Sequence, residues 1–409
     1  MRNKSMLVFE SDLCIGCGLC ESLTNGKITM GATSGGYLKP NVKYPLSTDE
    51  YKLIQKSCPA LVIHKDDSLR ANQTDPFWGD YYQCFIGSSS SNEIEKKASS
   101  GGVISTVLIY LLEKKEVDYV IHIGPDSDDP LSHKVKLSSN AAEVLQNADS
   151  RYAPSAPLAN VLQLIEPDKR YVFVGKPCDV AALRSLSKFN QKIAEQVKYY
   201  LSFFCFGIPS LNQTKKLIKQ LGVDQNEIKS IFYRKDGWPG SFNVETDAGG
   251  KYSMPYKDYM HFLFSDLHIR CKICPDGLGE SADITCGDAW NEFDEKGYPS
   301  FKNSRGQNII FSKTKTGVNL LNEVIASGNI QIDKTVNDLR SIDSIQPGQF
   351  GKKKFHRYRI WGFRLSGKRT PVFDKYIYKD ISKLEKINFK SALYQIWGTW
   401  KRINVKKKE

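Results

Sequence analysis

With 409 residues, 40% of them hydrophobic and 25% charged, the chain has the balance of a folded protein of two or three domains at roughly 150 residues each, which excludes a disordered or fibrous chain. No stretch approaches the roughly 18 consecutive apolar residues of a membrane span, and the first apolar run is too short for a signal peptide, so a cytoplasmic chain is expected, at most peripheral to a membrane. The formal charge of +13 belongs to one segment: residues 351–409 carry 18 Lys and Arg against 4 Asp and Glu, whereas residues 1–350 carry 40 against 41, which argues against nucleic acid as a partner of the body.

Ten cysteines in a chain with no export signal point to metal rather than to disulfides. Cys14-Ile-Gly-Cys17-Gly-Leu-Cys20 has the spacing with which three thiolates wrap one 4Fe–4S cube. The ferredoxin run would place its fourth cysteine at position 24, which is Thr here, and Cys58, followed by Pro59, is the evident replacement. Gly16 and Gly18 let the loop curl and aim N–H groups at the sulfurs. A structural zinc site is the alternative, but zinc usually pairs two separate knuckles. Residues 1–70 therefore read as a small cluster-binding domain, and residues 71–98, with Asp75-Pro76 and a serine run, as a linker and loop.

Ala98-Ser99-Ser100-Gly101-Gly102 then precedes Val103–Glu113, apolar nearly all round and so a buried helix. Its start offers unpaired N–H groups without side-chain obstruction, a seat for phosphate, although serine caps alone produce the same pattern. Neither a dinucleotide fingerprint nor a P-loop occurs. Val117–Ile123 reads as a strand. Arg151, with Tyr152 beside it, and Arg234 are candidates for holding an anion.

The run Tyr171–Val174 and the turn Gly175-Lys176-Pro177 place Cys178 at the carboxyl end of a strand. Cys205 ends a similar run before a helical pattern at Leu211–Leu221. Two adjacent parallel strands would present both cysteines at the edge where such sheets bind ligands. With Cys271-Lys-Ile-Cys274-Pro275 they form the proposed second cluster, the alternative being ordinary buried thiols. Cys84 and Cys286 are left over, Cys286 as a core residue or a substitute ligand. Asp283-Ile-Thr-Cys-Gly-Asp288-Ala-Trp290 reads as a short strand and turn. A strand at Gln307–Lys313 and a helix at Gly317–Gly328 complete an alternating pattern, so residues 99–350 are expected to be an α/β core with a mixed, largely parallel sheet. From Gly351 the chain is basic and aromatic. Its last helix puts Phe389, Leu393, Ile396, Trp397, Trp400 and Ile403 on one stripe, which could pack on the body, lie on an anionic membrane surface or dock on an acidic partner.

In this order the motifs resemble the coenzyme F420 hydrogenase/dehydrogenase beta-subunit family with a ferredoxin-type domain in front, over about residues 8–350. The resemblance extends to hydroxymethyl-chlorophyll-type reductases and to bacterial members beside polysaccharide-biosynthesis genes. It implies an iron–sulfur flavoprotein: FAD held by Ser99, Ser100, Gly101 and Gly102 and by neighbouring strand ends, with Arg151, Tyr152, Gly175, Lys176 and Asp288 as further candidates, and two 4Fe–4S clusters on the eight cysteines. The expected activity is an oxidoreductase taking electrons from ferredoxin or a similar carrier and passing hydride to a small organic substrate or a deazaflavin coenzyme. The other readings are a non-catalytic relay subunit on a separate catalytic partner and a zinc-stabilised protein whose tail binds nucleic acid.

Overall fold

The computed structural model describes residues 11–63, 71–235, 237–295, 299–300, 305–373, 381 and 387–405. Parts of the expected N-terminal domain (1–10, 64–70) and of the basic tail (374–380, 382–386, 406–409) lie outside the described residues. The N-terminal segment forms a hairpin of β1 (Ile28–Ala32) and β2 (Leu38–Val42), followed by helix α1 (Thr48–Ser57). A capping box sets the start of α1: Ser47 accepts from the Glu50 N–H, and Glu50 accepts from the Ser47 N–H. At its other end the helix delivers Cys58, whose N–H donates to Ile54 O at 2.8 Å.

The body is built on one eight-stranded sheet. In chain order its strands are β3 (Gln83–Ser89), β4 (Tyr119–Pro125), β5 (His133–Ser138), β6 (Tyr171–Gly175) and β7 (Val197–Phe203). A separate antiparallel sheet of β8 (Ile228–Lys235), β9 (Ser241–Thr246) and β10 (Lys251–Pro255) interrupts them. The large sheet resumes with β11 (Ile284–Asp288), β12 (Asn308–Ser312) and β13 (Ile330–Thr335). Its spatial order is β13-β3-β12-β11-β7-β6-β4-β5. The sheet is mixed as expected, with the parallel pairs β4–β6, β6–β7 and β7–β11 in the middle and antiparallel pairs towards both edges. Residues 71–98, expected as linker and loop, are different: they supply β3, which pairs with both β12 and β13. The serine-rich run hid that strand, because Ser88 and Ser89 are fully buried within the sheet.

Alternation places helices on both faces. Val120, Val172, Leu201 and Ile284 turn towards α2 (Val103–Glu113), whose extent matches the sequence reading, and towards a later helix at Lys315–Ala326. Ile121, Tyr171, Phe173 and Tyr200 turn the other way, onto α3 (Pro177–Ser187) and the loop carrying Cys17. Helix α4 (Tyr256–Leu263) joins the small sheet to the body, and α5 (Pro347–Leu365) and α6 (Phe389–Asn404) pack together at the C-terminal end.

Asp283 ties the layers at the amino end of β11. Its Oδ1 accepts from Thr314 Oγ1 at 2.6 Å and pairs with Arg184 Nη2 at 2.9 Å, while Oδ2 accepts from the Tyr200 N–H at 2.8 Å. Asp283→Ala leaves Arg184 Nη2, the buried Thr314 hydroxyl and a strand N–H without their acceptor; we expect a loss of about 3–5 kcal/mol in denaturant unfolding, without a change in the slope.

His122 on β4 is buried beside Ser138 Oγ at 2.7 Å, and burial, reinforced by Arg151, pulls its imidazole down to about 4. The unfolded chain therefore binds the proton first. Stability contributed by the neutral ring is present above pH ~6.5 and falls by up to ~3 kcal/mol as pH drops towards 4. Buried His133, His268 and His356 are pulled down in the same direction, so thermal unfolding between pH 4.5 and 7.5 should show a slope to which all four contribute, and His122→Asn should reduce it by about one proton's share.

Candidate functional site

A cavity of about 660 Å³ opens where the parallel strands end. Its walls include Gly175 and Lys176 after β6, Phe204 and Cys205 after β7, and Asp288 at the end of β11. Opposite stands the start of α2. Of the nine residues assigned to a cofactor from sequence, Ser99, Ser100, Gly102, Arg151, Tyr152, Gly175, Lys176 and Asp288 line this one space. Gly101 is not among the lining residues: a Cβ built there would come within 2.9 Å of the Asn308 backbone N, so its role is close packing against β12.

The serine hydroxyls are engaged within the chain. Ser99 Oγ donates to Asp149 Oδ1 at 3.2 Å and accepts from the Ser150 N–H. Ser100 Oγ donates to Gln307 O and accepts from Asn308 Nδ2. The Val103 N–H is capped by Asn308 Oδ1 at 3.2 Å. Gly102, at φ 75°, turns the chain into the helix without a side-chain cap. The N–H groups of Ile104 and Ser105, both on the cavity wall, are the first-turn donors with no side-chain partner. The serines thus shape the cradle, and the helix start supplies its donors.

Buried polar atoms on the cavity wall are orphaned within the chain: Arg151 Nε, Arg234 Nη2, Asp149 Oδ2 and Asp179 Oδ1. Their desolvation cost calls for a ligand or ordered water. Arg234 is held rigidly. Its Nη1 meets Asp288 Oδ2 at 2.8 Å, its Nε donates to Pro239 O, and its guanidinium carbon lies 5.1 and 5.0 Å from the ring centres of Trp238 and Tyr256. Lys176 Nζ meets Asp179 Oδ2 at 2.7 Å and Ser155 Oγ at 3.2 Å. Burial alone would lower the Lys176 ammonium, but Asp179 and the neighbouring thiols more than reverse this and hold it charged. A cavity of this volume, walled in part by helix-start and arginine donors, has room for a dinucleotide-sized anionic cofactor such as FAD.

The sequence reading missed Asp149, Asp179, Asn308 and the α4 residues Tyr256, Lys257, Met260 and His261, all on the same wall. Asp179 follows Cys178 directly and carried a signal. The others reach the site only through strand and helix packing.

Cys14, Cys17, Cys20 and Cys58 line one small void with Gly18, Pro59 and Ala60. Gly18 at φ 83° has no room for a side chain, because a Cβ would lie 2.7 Å from Ala159 N. Burial pushes all four thiols up, Cys58 to about 12, and mutual repulsion of the sulfurs adds to the rise for Cys17, Cys20 and Cys58. The N–H groups of Gly16, Leu19, Glu21, Ala60 and Leu61 work against this, hydrogen-bonding to the sulfurs, the arrangement that tunes thiolate ligands.

Cys178, Cys205, Cys271 and Cys274 also come together. Burial dominates the rise at Cys178, Cys205 and Cys271, with Cys205 pushed up to about 12, and the four sulfurs act on one another electrostatically. Expected at the carboxyl end of a strand, Cys178 instead lies three residues past the end of β6, on the first turn of α3, where the helix N-terminus favours a thiolate. Cys286 stands apart: it lines the cavity, and only burial raises it. Cys84 is buried on β3 near Lys313. Among the described residues no group of three or more His, Cys, Asp or Glu is arranged to hold a single metal ion.

Arg270 links the two sets. It is 2% exposed, precedes Cys271, and its Nη2 donates to Pro59 O, beside Cys58, at 3.2 Å. Its charge lowers the thiols of both Cys58 and Cys271. Cys205 belongs to the cavity wall as well as to the second set.

Comparisons with known proteins agree with this architecture. Residues 84–163 match the N-terminal part, and residues 168–338 the C-terminal part, of the family described as coenzyme F420 hydrogenase/dehydrogenase, beta subunit. The coenzyme F420 hydrogenase subunit beta of Methanococcus voltae is 28% identical over 304 residues, covering 72% of this chain and 99% of that protein. The F420-dependent formate dehydrogenase subunit beta of Methanocaldococcus jannaschii is 26% identical, covering 56% of this chain and 59% of that protein. In fold, the chain is similar to one in the F420-reducing [NiFe] hydrogenase complex from Methanosarcina barkeri, with a TM-score of 0.54, 20% identity, and coverage of 74% of this chain and 99% of that one. Two matched segments that together span most of the chain show that it belongs to the coenzyme F420 hydrogenase/dehydrogenase beta-subunit family.

Proposed function

We propose that the chain is an iron–sulfur flavoprotein oxidoreductase that moves electrons between a one-electron carrier of the ferredoxin kind and a hydride acceptor or donor bound in the 660 Å³ cavity. Membership of an F420-dependent oxidoreductase family supports the reaction class. The observation that carries the finer reading is the double position of Cys205, on the cavity wall and in the second cysteine set. FAD, when bound, supplies the conversion between single electrons and hydride.

The chain's own residues would do the rest. The Ile104 and Ser105 N–H groups, Arg151 and Arg234 hold anionic groups, and Gly102 lets the backbone approach. Lys176, kept charged by Asp179, places a fixed positive charge between cavity and second set. Cys14, Cys17, Cys20 and Cys58 would hold one 4Fe–4S cluster, and Cys178, Cys205, Cys271 and Cys274 the other. The acceptor is a small organic molecule or a deazaflavin coenzyme. A second reading, an electron-relay subunit on a catalytic partner, is favoured by the relatives being named as subunits.

Protein purified without oxygen should contain about eight iron, eight sulfide and one FAD per chain. Cys178→Ala/Cys271→Ala should fall to about four iron while keeping the cluster on the N-terminal cysteines. Eight iron without flavin would favour the relay, and zinc in place of iron would sink the redox reading. Arg270→Gln removes a buried cation between the two sets; we expect both cluster midpoint potentials to fall by ~60 mV or more in an EPR-monitored titration, with Arg270→Lys restoring part of the shift. Unchanged potentials would mean that Arg270 only bridges the backbone.

A further inference from the structure

Helix α6 has two different faces. Ala392, Thr399 and Ile403 are buried, with Ile403 packed among Leu13, Ala60, Ile273, Ile360 and Phe363. The fit against α5 is close, since a Cβ on Gly362 would overlap Ile396 O. The stripe expected from sequence is therefore split, with Ile403 turned inward. The remainder turns outward: Phe389 is 77% exposed, Trp397 55%, Leu393 47% and Trp400 40%. On a helical wheel these four span one arc of about 80°, and Lys390, Lys401 and Tyr394 continue that arc.

Exposing four large apolar side chains on one helix has a cost in water that soluble surfaces rarely bear without use. Lys390 and Lys401 border the apolar arc on one side, Arg402 lies opposite it, and Lys401 Nζ lies 4.9 Å from the Trp397 ring centre. The adjoining helix α5 repeats the combination, with Arg357 at 4.8 Å from the ring of Trp361, itself 40% exposed, and with Arg364 and Leu365 exposed. Tryptophan with lysine on an exposed helix face is the composition that settles at headgroup depth, the rings among upper acyl chains and the ammonium groups at phosphate level. Charge complementarity selects the kind of bilayer: the segment from Gly351 carries 18 basic against 4 acidic residues, while the rest of the chain is close to neutral.

We propose that the outward face of α6, formed by Phe389, Leu393, Trp397 and Trp400 and flanked by Lys390 and Lys401, is a docking surface for an anionic lipid bilayer. No helix of the described residues is long and apolar enough to cross a membrane, so the contact is peripheral and reversible. It brings the whole chain to a bilayer surface, where an electron carrier or a lipid-linked substrate would be met. The inference does not depend on the redox reading, because it uses neither the cavity nor the cysteines.

The test is sedimentation of the full chain with vesicles of phosphatidylcholine, alone or mixed with phosphatidylglycerol, at low and physiological salt. Binding to the mixed vesicles and not to phosphatidylcholine is expected. Trp397→Ser/Trp400→Ser should weaken it at least tenfold, and Lys390→Gln/Lys401→Gln should weaken it by roughly tenfold to thirtyfold. These side chains are exposed, and unchanged thermal unfolding would confirm that the variants are folded. Failure to bind mixed vesicles even at low salt would overturn the proposal and leave the face to an acidic protein partner. Binding that salt abolishes and the tryptophan variant does not alter would also overturn it, as adsorption of a basic chain without seating of the helix.

Discussion

Parallel pairing of β6 with β7, and of β7 with β11, is the constraint on which the candidate site depends. Ser202 stands level with both Gly175 and Thr285, and Phe203 with Cys286, so three strands reach their carboxyl ends together. The turns that follow must then share one edge. That edge receives Lys176 and Cys178, then Cys205, then Asp288, residues more than a hundred positions apart in the chain. Antiparallel neighbours would have sent alternate turns to the opposite edge.

What gathers there is costly to bury. Lys176 and Asp179 lie side by side in the interior, and Arg234 is 3% exposed. Each is offset locally, Lys176 by the Asp179 carboxylate and Arg234 by Asp288 and a wall of aromatic rings, yet neither set of partners is complete. Orphaned atoms of Arg234, Arg151, Asp149 and Asp179 remain. Charges kept dry and only partly satisfied call for further partners, a ligand or ordered water. The small antiparallel sheet has its clearest purpose here, since β8 carries Arg234 and the adjoining α4 closes the cavity wall.

The two cysteine sets show a similar division of labour. Local chain geometry shapes the first, because Gly16 and Gly18 curl the loop and the end of α1 places Cys58 opposite it. Long-range packing assembles the second, whose members come from α3, the turn after β7 and a short helical turn (Ile269–Lys272) with the residues just after it, before β11. Arg270 joins them, one buried cation held by a carbonyl next to Cys58 and by its own place before Cys271. The aromatic helix α6 stands outside this machinery, resting one face on the same core cluster that includes Cys58 while the other faces solvent.

The local spacing of Cys14, Cys17 and Cys20, the extent of α2 and the placing of Cys178 and Cys205 just past β6 and β7 were legible in the sequence because each is decided within a few residues, by turn chemistry, hydrophobic period or strand length. Eight of the nine residues nominated for a cofactor line the cavity for the same reason, while the α4 residues, Asp149 and Asn308 reach it only through packing. The strand β3 was not legible, since its serines are polar in composition and buried only because β12 and β13 pair with it on both sides. Nor could the sequence show that Ser99 and Ser100 are engaged within the chain, that Asn308 caps α2, or that Phe389 and Trp397 face outward while Ile403 faces inward. Those outcomes depend on which partner occupies the neighbouring space, and that is settled by packing between segments far apart in the chain, which no local pattern encodes.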